Sequence, residues 1–430
     1  MQFKESQNYK YPKENLFHEF EIKKDIINKI KESFVSFGYR EICTSVVQSY
    51  GTFSLTKCTL IENEMIKFID KSGEILVLRP DTTIPITKII ENNHMSPIDK
   101  LKLYYCEQVF RSNNRTNKEE FTQAGVEYFG DVSIAADAEV IVMAIESLRK
   151  CDVDFHIEIG HAGFYKALMD KINISLNLEN ELKTLIESKN FSETERFVEC
   201  LDIDDNIKDI LSEIPNMYGD FVQVLEKANR LSLTSNMKKS LDEVQSLYEI
   251  LCDYGYDRYI SVDLGLLNHL DYYTGITFKG YLSNYGQIIL NGGRYDKLAK
   301  IDGNFIPATG FGVNIDEMLN GIGADKKMLN RNYYTDYLVL YIDENRKSAF
   351  KISQYLRENG FIVQNDIYNG ALKEYIEKAE IYGFKNIILV AEDKIKLIDI
   401  LKNSTLTFDD NICCNCFESM FANRHIASIH

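Results

Sequence analysis

The chain holds 430 residues, 45% of them hydrophobic and 27% charged, a balance that suits two globular domains and excludes extended disorder as the main state. A formal net charge of −16 disfavours any role that rests on a broad basic face for nucleic acid. The first twenty residues lack the apolar run of a secretory signal, and no later stretch approaches 18 apolar residues, so neither export nor a membrane span is expected and the protein is assigned to the cytoplasm.

Residues 17–37 place Phe20, Ile22, Ile26, Ile27, Ile30 and Phe34 at helical spacing between charged residues, which predicts an amphipathic helix. Gly38 suits a left-handed cap after it, and Tyr39 to Val47 read as a β-branched strand. A second strand, Ile75 to Leu78, runs into Arg79-Pro80-Asp81-Thr82-Thr83, where proline stops the ladder and polar side chains arrive at a strand end. Lys102 to Arg111 and Phe121 to Phe129 predict an antiparallel pair joined by the polar loop Ser112 to Glu120. Ala135 to Leu148 is a mostly apolar helix, with Asp137 and Glu139 near its start where carboxylates suit the macrodipole.

From about 165 to 255 the pattern is helical with short loops, and Ser192 with Glu195 suggests a capping box. This stretch reads as an insertion. Strand signals return at Tyr259 to Leu264, Thr277 to Tyr281 and Gln287 to Leu290, with Gly292 and Gly293 breaking the pattern before Arg294. Beyond a polar linker near 330 the rhythm changes to strand Tyr337 to Ile342, helix Arg346 to Glu358, strand Phe361 to Gln364, helix Leu372 to Tyr382 and strand Asn386 to Val390. That alternation predicts a small α/β domain with a parallel sheet over 331–430. The nine cysteines form no disulfide framework for a chain of this length and are expected to be reduced. Cys413, Cys414 and Cys416, with His425 and His430, lack the paired spacing of a metal site, so a packed or frayed terminus is preferred and neither a metal nor a cofactor is expected.

Five segments in order resemble class II aminoacyl-tRNA synthetases, and the histidyl enzymes in particular: Leu78-Arg79-Pro80-Asp81-Thr82-Thr83, Val109-Phe110-Arg111, Phe121-Thr122-Gln123-Ala124-Gly125-Val126-Glu127, Leu270-Asp271-Tyr272-Tyr273-Thr274-Gly275 and Asn291-Gly292-Gly293-Arg294-Tyr295-Asp296. The fourth is the most specific and resembles the family's histidine-recognition motif. The resemblance implies an α+β fold over 1–325: a class II synthetase-like antiparallel sheet core carrying the helical insertion, followed by a domain similar to the family's anticodon-binding domain. In such a pocket Asp81, Thr83 and Gln123 offer acceptors for an α-ammonium, Glu127 and Tyr273 can meet the two imidazole nitrogens, Tyr272 can wall the ring, and Arg111 can meet the carboxylate. The same residues admit a structural reading, in which Asp81 and Thr83 cap a loop and the tyrosines are core aromatics.

The departures are as informative as the matches. Where the active family has Arg-Gly before the tyrosine motif, Asn268-His269 stands here, and where it closes with Gly-Leu-Glu-Arg this chain has Asn314-Ile315-Asp316-Glu317. Exchanging a cation for the Glu317 carboxylate beside a triphosphate turns an attraction of roughly 1–4 kcal/mol into a repulsion of similar size. Adenylation relies on such clamping, so it is expected to be lost. Ser45 and Gln48 replace the proline and glutamate of the first class II motif, Glu119-Glu120 stand where arginine and glutamine are usual, and 331–430 hold 12 Lys and Arg against 14 Asp and Glu, unlike a tRNA-reading surface.

This pattern resembles the synthetase-like family that partners the short form of ATP phosphoribosyltransferase. The resemblance implies a non-catalytic regulatory subunit, needed for full activity of the short catalytic subunit and mediating histidine feedback on the first step of histidine biosynthesis. Many members lack a C-terminal domain, which this chain has. The implied partners are the catalytic subunit and histidine as effector, without tRNA or membrane. A homodimer through the Tyr39 to Gln48 strand and the preceding helix is also expected. Two other readings are an active histidyl-tRNA synthetase with unusual motifs and a stand-alone synthetase-like protein regulating another partner through histidine or a different small ligand.

Overall fold

The computed structural model describes residues 13–54, 64–92, 100–112, 119–267, 272–323, 335–391 and 394–409. The chain divides into two units, Met1–Asp325 and Lys326–His430. The first unit opens with α1 (Lys13–Ser36), β1 (Arg40–Glu41), β2 (Val47–Ser49), α2 (Tyr50–Ser54), β3 (Lys67–Ile69), β4 (Ile75–Leu78), α3 (Thr83–Asn92), β5 (Leu101–Phe110), β6 (Glu120–Phe129), α4 (Ile134–Lys150) and β7 (Phe155–His161). A helical stretch follows: α5 (Ala162–Met169), α6 (Leu176–Glu187), α7 (Phe191–Glu199), α8 (Asp205–Glu213), the two-residue β8 (Tyr218–Gly219), α9 (Phe221–Leu231) and α10 (Ser235–Asp253). The chain then returns to strands in β9 (Ile260–Asp263), β10 (Ile276–Leu282), β11 (Ile288–Arg294), β12 (Ala299–Ile301), β13 (Asn304–Ile306) and β14 (Ala308–Asn314), and ends the unit with α11 (Ile315–Gly323).

The main sheet has the order β1-β5-β6-β14-β11-β10-β7-β9-β8. Its centre is antiparallel, and the pairs β1–β5 and β7–β9 are parallel. Because side chains alternate across a strand, one face of the sheet sends Ala124, Val126, Ile157, Ile159, Phe278, Phe311 and Val313 into the larger core, shared with buried residues of α1, α4 and α10. The other face carries Gln123, Gly125 and Glu127 of β6. Gly125 is paired with Gly312, Glu127 with Gly310, and Gly310 with Gly293. A floor of glycines therefore surrounds the polar side chains.

Several elements depart from the pattern read in the sequence. Ile26, Ile30 and Phe34 of α1 are buried as the spacing requires, but Phe20 is 67% exposed. The strand expected over Tyr39 to Val47 is two short strands in different sheets, β1 beside β5 and β2 beside β4. Between them Thr44 is held by Glu107, whose Oε1 accepts its N–H at 2.7 Å and whose Oε2 accepts its hydroxyl at 2.8 Å. That bond to β5 occupies the backbone that a continuous strand would need. The capping box at Ser192 and Glu195 is not formed: Asn190 caps α7, its Oδ1 accepting the Glu193 N–H, and Ser192 lies inside the helix. β11 does not stop at the glycine pair but continues to Arg294. There the glycines allow close packing, since a β-carbon on Gly293 would stand 2.6 Å from Ile276 O and 2.9 Å from the Tyr273 ring.

The second unit contains β15 (Thr335–Tyr341), α12 (Arg346–Glu358), β16 (Val363–Ile367), α13 (Leu372–Tyr382), β17 (Phe384–Ala391), β18 (Lys394–Asp399) and β19 (Ser404–Asp409). Its sheet, β16-β15-β17-β18-β19, is mixed rather than parallel. β15, β16 and β17 run parallel through helical crossovers, but Ala391 faces Lys394 across a hairpin too short for a crossover, so β18 and β19 are antiparallel. Cys413, Cys414, Cys416, His425 and His430 lie outside the described residues. No described helix is long and apolar enough to cross a membrane.

Candidate ligand site on the glycine-floored sheet face

The segment after β4 is ordered by its charges. Pro80 ends the ladder, and Arg79 turns inward, where its Nη1 lies 2.9 Å from Glu107 Oε1 and donates to Thr44 O at 2.7 Å, while its Nε donates to Gln108 O at 2.7 Å. Arg79 thus anchors the loop and does not face a ligand. Asp81 then starts α3, its Oδ1 accepting the Ile84 N–H at 2.9 Å. This satisfies one of the orphan donors of the helix. Burial raises the Asp81 carboxyl, opposed by the nearby Arg111 guanidinium.

Thr83 projects across to β6 and donates its hydroxyl to Glu127 Oε1 at 2.6 Å, while the Tyr295 hydroxyl donates to Glu127 Oε2. Glu127 is 2% exposed. Burial pushes its carboxyl up to about 8, against the lowering effect of those two hydrogen bonds. Desolvation outweighs both bonds. The shift favours the neutral acid, which has an O–H donor and spare lone pairs to offer.

Gln123, on the same face two pleats away, has its Oε1 buried without a hydrogen-bond partner among the described residues. Arg111 donates from Nε to Pro80 O at 2.7 Å, and its guanidinium lies over the Phe121 ring at 5.5 Å. The rings of Tyr272 and Tyr273 are 4.6 Å apart, and Tyr272 meets Tyr295 edge-on at 5.7 Å. Both tyrosines pack on the second core, which includes Tyr105, Phe129 and Tyr295. Contacts and mutual fields thus join Asp81, Thr83, Arg111, Glu127, Tyr272 and Tyr273, and Gln123 lies on the same face of β6 as Glu127. Sequence reasoning assigned no role to Tyr295 or Tyr105. The signal for Tyr295 was its place beside Arg294 in the Asn291 to Asp296 motif, and for Tyr105 its alternation with Glu107 on β5.

Asp137, read as a partner of the helix dipole, is instead 1% exposed and ion-paired with Arg294, whose Nε lies 2.9 Å from Asp137 Oδ2. At the start of α11 the two acids are committed elsewhere. Asp316 accepts from Lys23 Nζ at 2.7 Å and from the Thr122 N–H at 2.6 Å, and Glu317 Oε2 accepts the Tyr285 hydroxyl at 2.7 Å. Asn268 lies outside the described residues. Among the described residues no group of three or more His, Cys, Asp and Glu is placed to hold a metal ion.

The family model described as histidyl-tRNA synthetase matches residues 13–318. The ATP phosphoribosyltransferase regulatory subunit of Oceanobacillus iheyensis is 39% identical over 355 residues, covering 82% of this chain and 86% of the relative. That of Clostridium kluyveri is 36% identical over 357 residues, covering 82% and 91%. The chain belongs to the ATP phosphoribosyltransferase regulatory subunit family. Among solved structures, an ATP phosphoribosyltransferase regulatory subunit/histidyl-tRNA synthetase from Bacillus halodurans has a TM-score of 0.76 at 28% identity, covering 91% of this chain and all of that one. The histidyl-tRNA synthetase of Nostoc sp. PCC 7120 has a TM-score of 0.79 at 17% identity, covering 96% and 100%, a likeness of fold. The regulatory subunit therefore has the class II synthetase α+β fold and serves a regulatory, non-catalytic role. Glu317, expected from the sequence to stand in the place of a family arginine, is bound to Tyr285.

Proposed function

We propose that this regulatory subunit binds free histidine around Glu127 and passes the occupancy of that pocket to a short-form ATP phosphoribosyltransferase catalytic subunit, which needs it for full activity at the first step of histidine biosynthesis. The observation that carries the reading is the placing, on one glycine-floored face, of a buried Glu127 whose carboxyl is raised by desolvation and a Gln123 Oε1 that has no hydrogen-bond partner among the described residues. A neutral carboxylic acid can both donate to and accept from an imidazole, and an unpaired buried carbonyl oxygen gains most from an ammonium donor. Asp81 and Thr83 supply further acceptors, Arg111 the cation for the carboxylate, and Tyr272 and Tyr273 the ring walls. Feedback then follows by linkage: histidine stabilises whichever state of the assembly holds the pocket closed around it.

The acidic balance of the chain supports a function without tRNA. A homodimer through β1, β2 and α1 is supported by exposed Val46 and Val47 at β2, beside exposed Phe68, Ile69 and Ile75 on the strands β3 and β4 of the same small sheet. The decisive experiment measures phosphoribosyl-ATP formation by a short catalytic subunit alone, with this chain, and with histidine added. Stimulation by the chain and its reversal by histidine are expected. Stimulation that histidine leaves unchanged would remove the effector from the proposal.

A further inference from the structure

The short segment Arg294-Tyr295-Asp296 sends three side chains to three places. Arg294 is buried and reaches α4: besides the Asp137 ion pair, its Nη1 donates to Asp131 O at 2.8 Å and its Nη2 to Ser133 O at 3.2 Å. Tyr295 gives its hydroxyl to Glu127. Asp296 bridges sideways, with Oδ1 3.4 Å from Arg294 Nη1 and Oδ2 accepting the Thr274 hydroxyl at 3.1 Å. The Thr274 hydroxyl in turn accepts the Asp296 N–H at 3.0 Å, and the Thr274 N–H donates to Arg294 O at 2.8 Å. Thr274 directly follows Tyr273 in the chain.

We infer that Thr274 and Asp296 are positioning residues for the Tyr272-Tyr273 pair, and that Asp137 of α4 sets their position through Arg294. The reasoning is geometric. Neither tyrosine lies within a regular element, since β10 begins only at Ile276. The Ala162 N–H, at the start of α5, donates to Gly275 O at 2.9 Å and ties the next residue in place. The reciprocal hydroxyl–backbone and hydroxyl–carboxylate bonds at Thr274 therefore fix the direction in which the chain presents Tyr273. The guanidinium fixes Asp296, because a planar fork with several donors holds its partners in set directions. The buried Asp137 fixes the guanidinium in turn. α4 is thereby connected to ring recognition without touching the ligand.

This inference rests on the histidine reading for its binding consequence, but the placement of the tyrosines can be read without ligand. The full-length chain is labelled with 3-fluorotyrosine, and the 19F resonances of Tyr272 and Tyr273 are assigned by Tyr→Phe substitution. Thr274→Val removes the hydroxyl at nearly constant volume, and Thr274→Ser restores it. Thermal melting checks that each variant is folded. The expected result is that Thr274→Val shifts or broadens the two pocket resonances while that of Tyr218, remote in the insertion, stays put, and that Thr274→Ser returns the wild-type spectrum. In parallel, histidine titration of the same proteins should show affinity lowered roughly tenfold by Thr274→Val and restored by Thr274→Ser, the consequence of losing the two hydrogen bonds that the Thr274 hydroxyl exchanges with Asp296. Unmoved pocket resonances in folded Thr274→Val overturn the inference. If the resonances move as expected but wild-type protein takes up no histidine, the positioning stands and the histidine reading fails.

Discussion

The Thr83 hydroxyl lies 2.6 Å from Glu127 Oε1, joining the first turn of α3 to the central strand β6. It is a short bond between two buried groups, so removing the donor leaves an acceptor without its partner. Thr83→Val should lower stability by about 1–3 kcal/mol, and Thr83→Ser should lower it much less. Urea unfolding of the three proteins measures this; equal midpoints for Thr83→Val and wild type would contradict it.

Glu127 also makes stability depend on pH. Its carboxyl is raised from 4.5 to about 8, so between those values the folded protein holds a proton that the unfolded chain has released. The stabilisation is complete below the unfolded value and is lost as pH rises through the folded one, at up to about 1.4 kcal/mol per pH unit. Across pH 5 to 8 the wild type should lose stability relative to Glu127→Gln, which cannot titrate. Parallel denaturation curves for the two proteins would mean that Glu127 is already ionised when folded.

Arg79 and Glu107 form a buried ion pair, with side chains 5% and 4% exposed. Removing one partner strands the other charge, so Glu107→Leu or Arg79→Met alone should each cost about 3–5 kcal/mol, while the double substitution should recover much of that loss. The same chemical denaturation checks it. A double mutant no better than the worse single one would show that the hydrogen bonds to Thr44 and Gln108, rather than charge, dominate.

Glu317 is committed to Tyr285 and Asp316 to Lys23 and the Thr122 N–H. Histidine-dependent pyrophosphate exchange should be absent, and Asn268→Arg with Glu317→Arg should not restore it, since Ser45, Gln48 and the Glu119-Glu120 pair also differ from the active pattern. Exchange at a synthetase-like rate in the double variant would show that two arginines suffice.

Gly310 faces Glu127 across β14 and β6. A β-carbon there would run into Glu127 Oε2 and the Val126 carbonyl. Gly310→Ala should therefore displace the carboxyl and weaken histidine binding by about tenfold or more, measured by calorimetry. Gly323→Ala, at the end of α11 with open space around it, is a glycine control. Unchanged affinity in Gly310→Ala would place histidine elsewhere.

How much was legible beforehand varies by element. The helix Arg346–Glu358, the helix Leu372–Tyr382 and the strand Ile75–Leu78 were read with their observed ends, because their apolar periodicity is local and their stop residues are glycine, proline or polar neighbours. The resemblance carried by Asp81, Thr83, Gln123, Glu127, Tyr272 and Tyr273 was likewise a property of the residues in order. β14 was not foreseen: Ala-Thr-Gly-Phe-Gly-Val-Asn sets two glycines, which weaken a strand, between its larger side chains, and it becomes a central strand because those glycines admit Glu127 and Gln123 from β6. Nor could spacing show that Asp137 would leave the helix dipole for Arg294, 157 residues away, or that Tyr295 would complete the Glu127 site. By itself the sequence determined the periodic elements, the family likeness and the missing cation at Glu317. Tertiary structure alone decided which polar groups are buried together, because the cost of desolvating a charge depends on neighbours brought from distant strands, and that cost is what raises the Glu127 carboxyl.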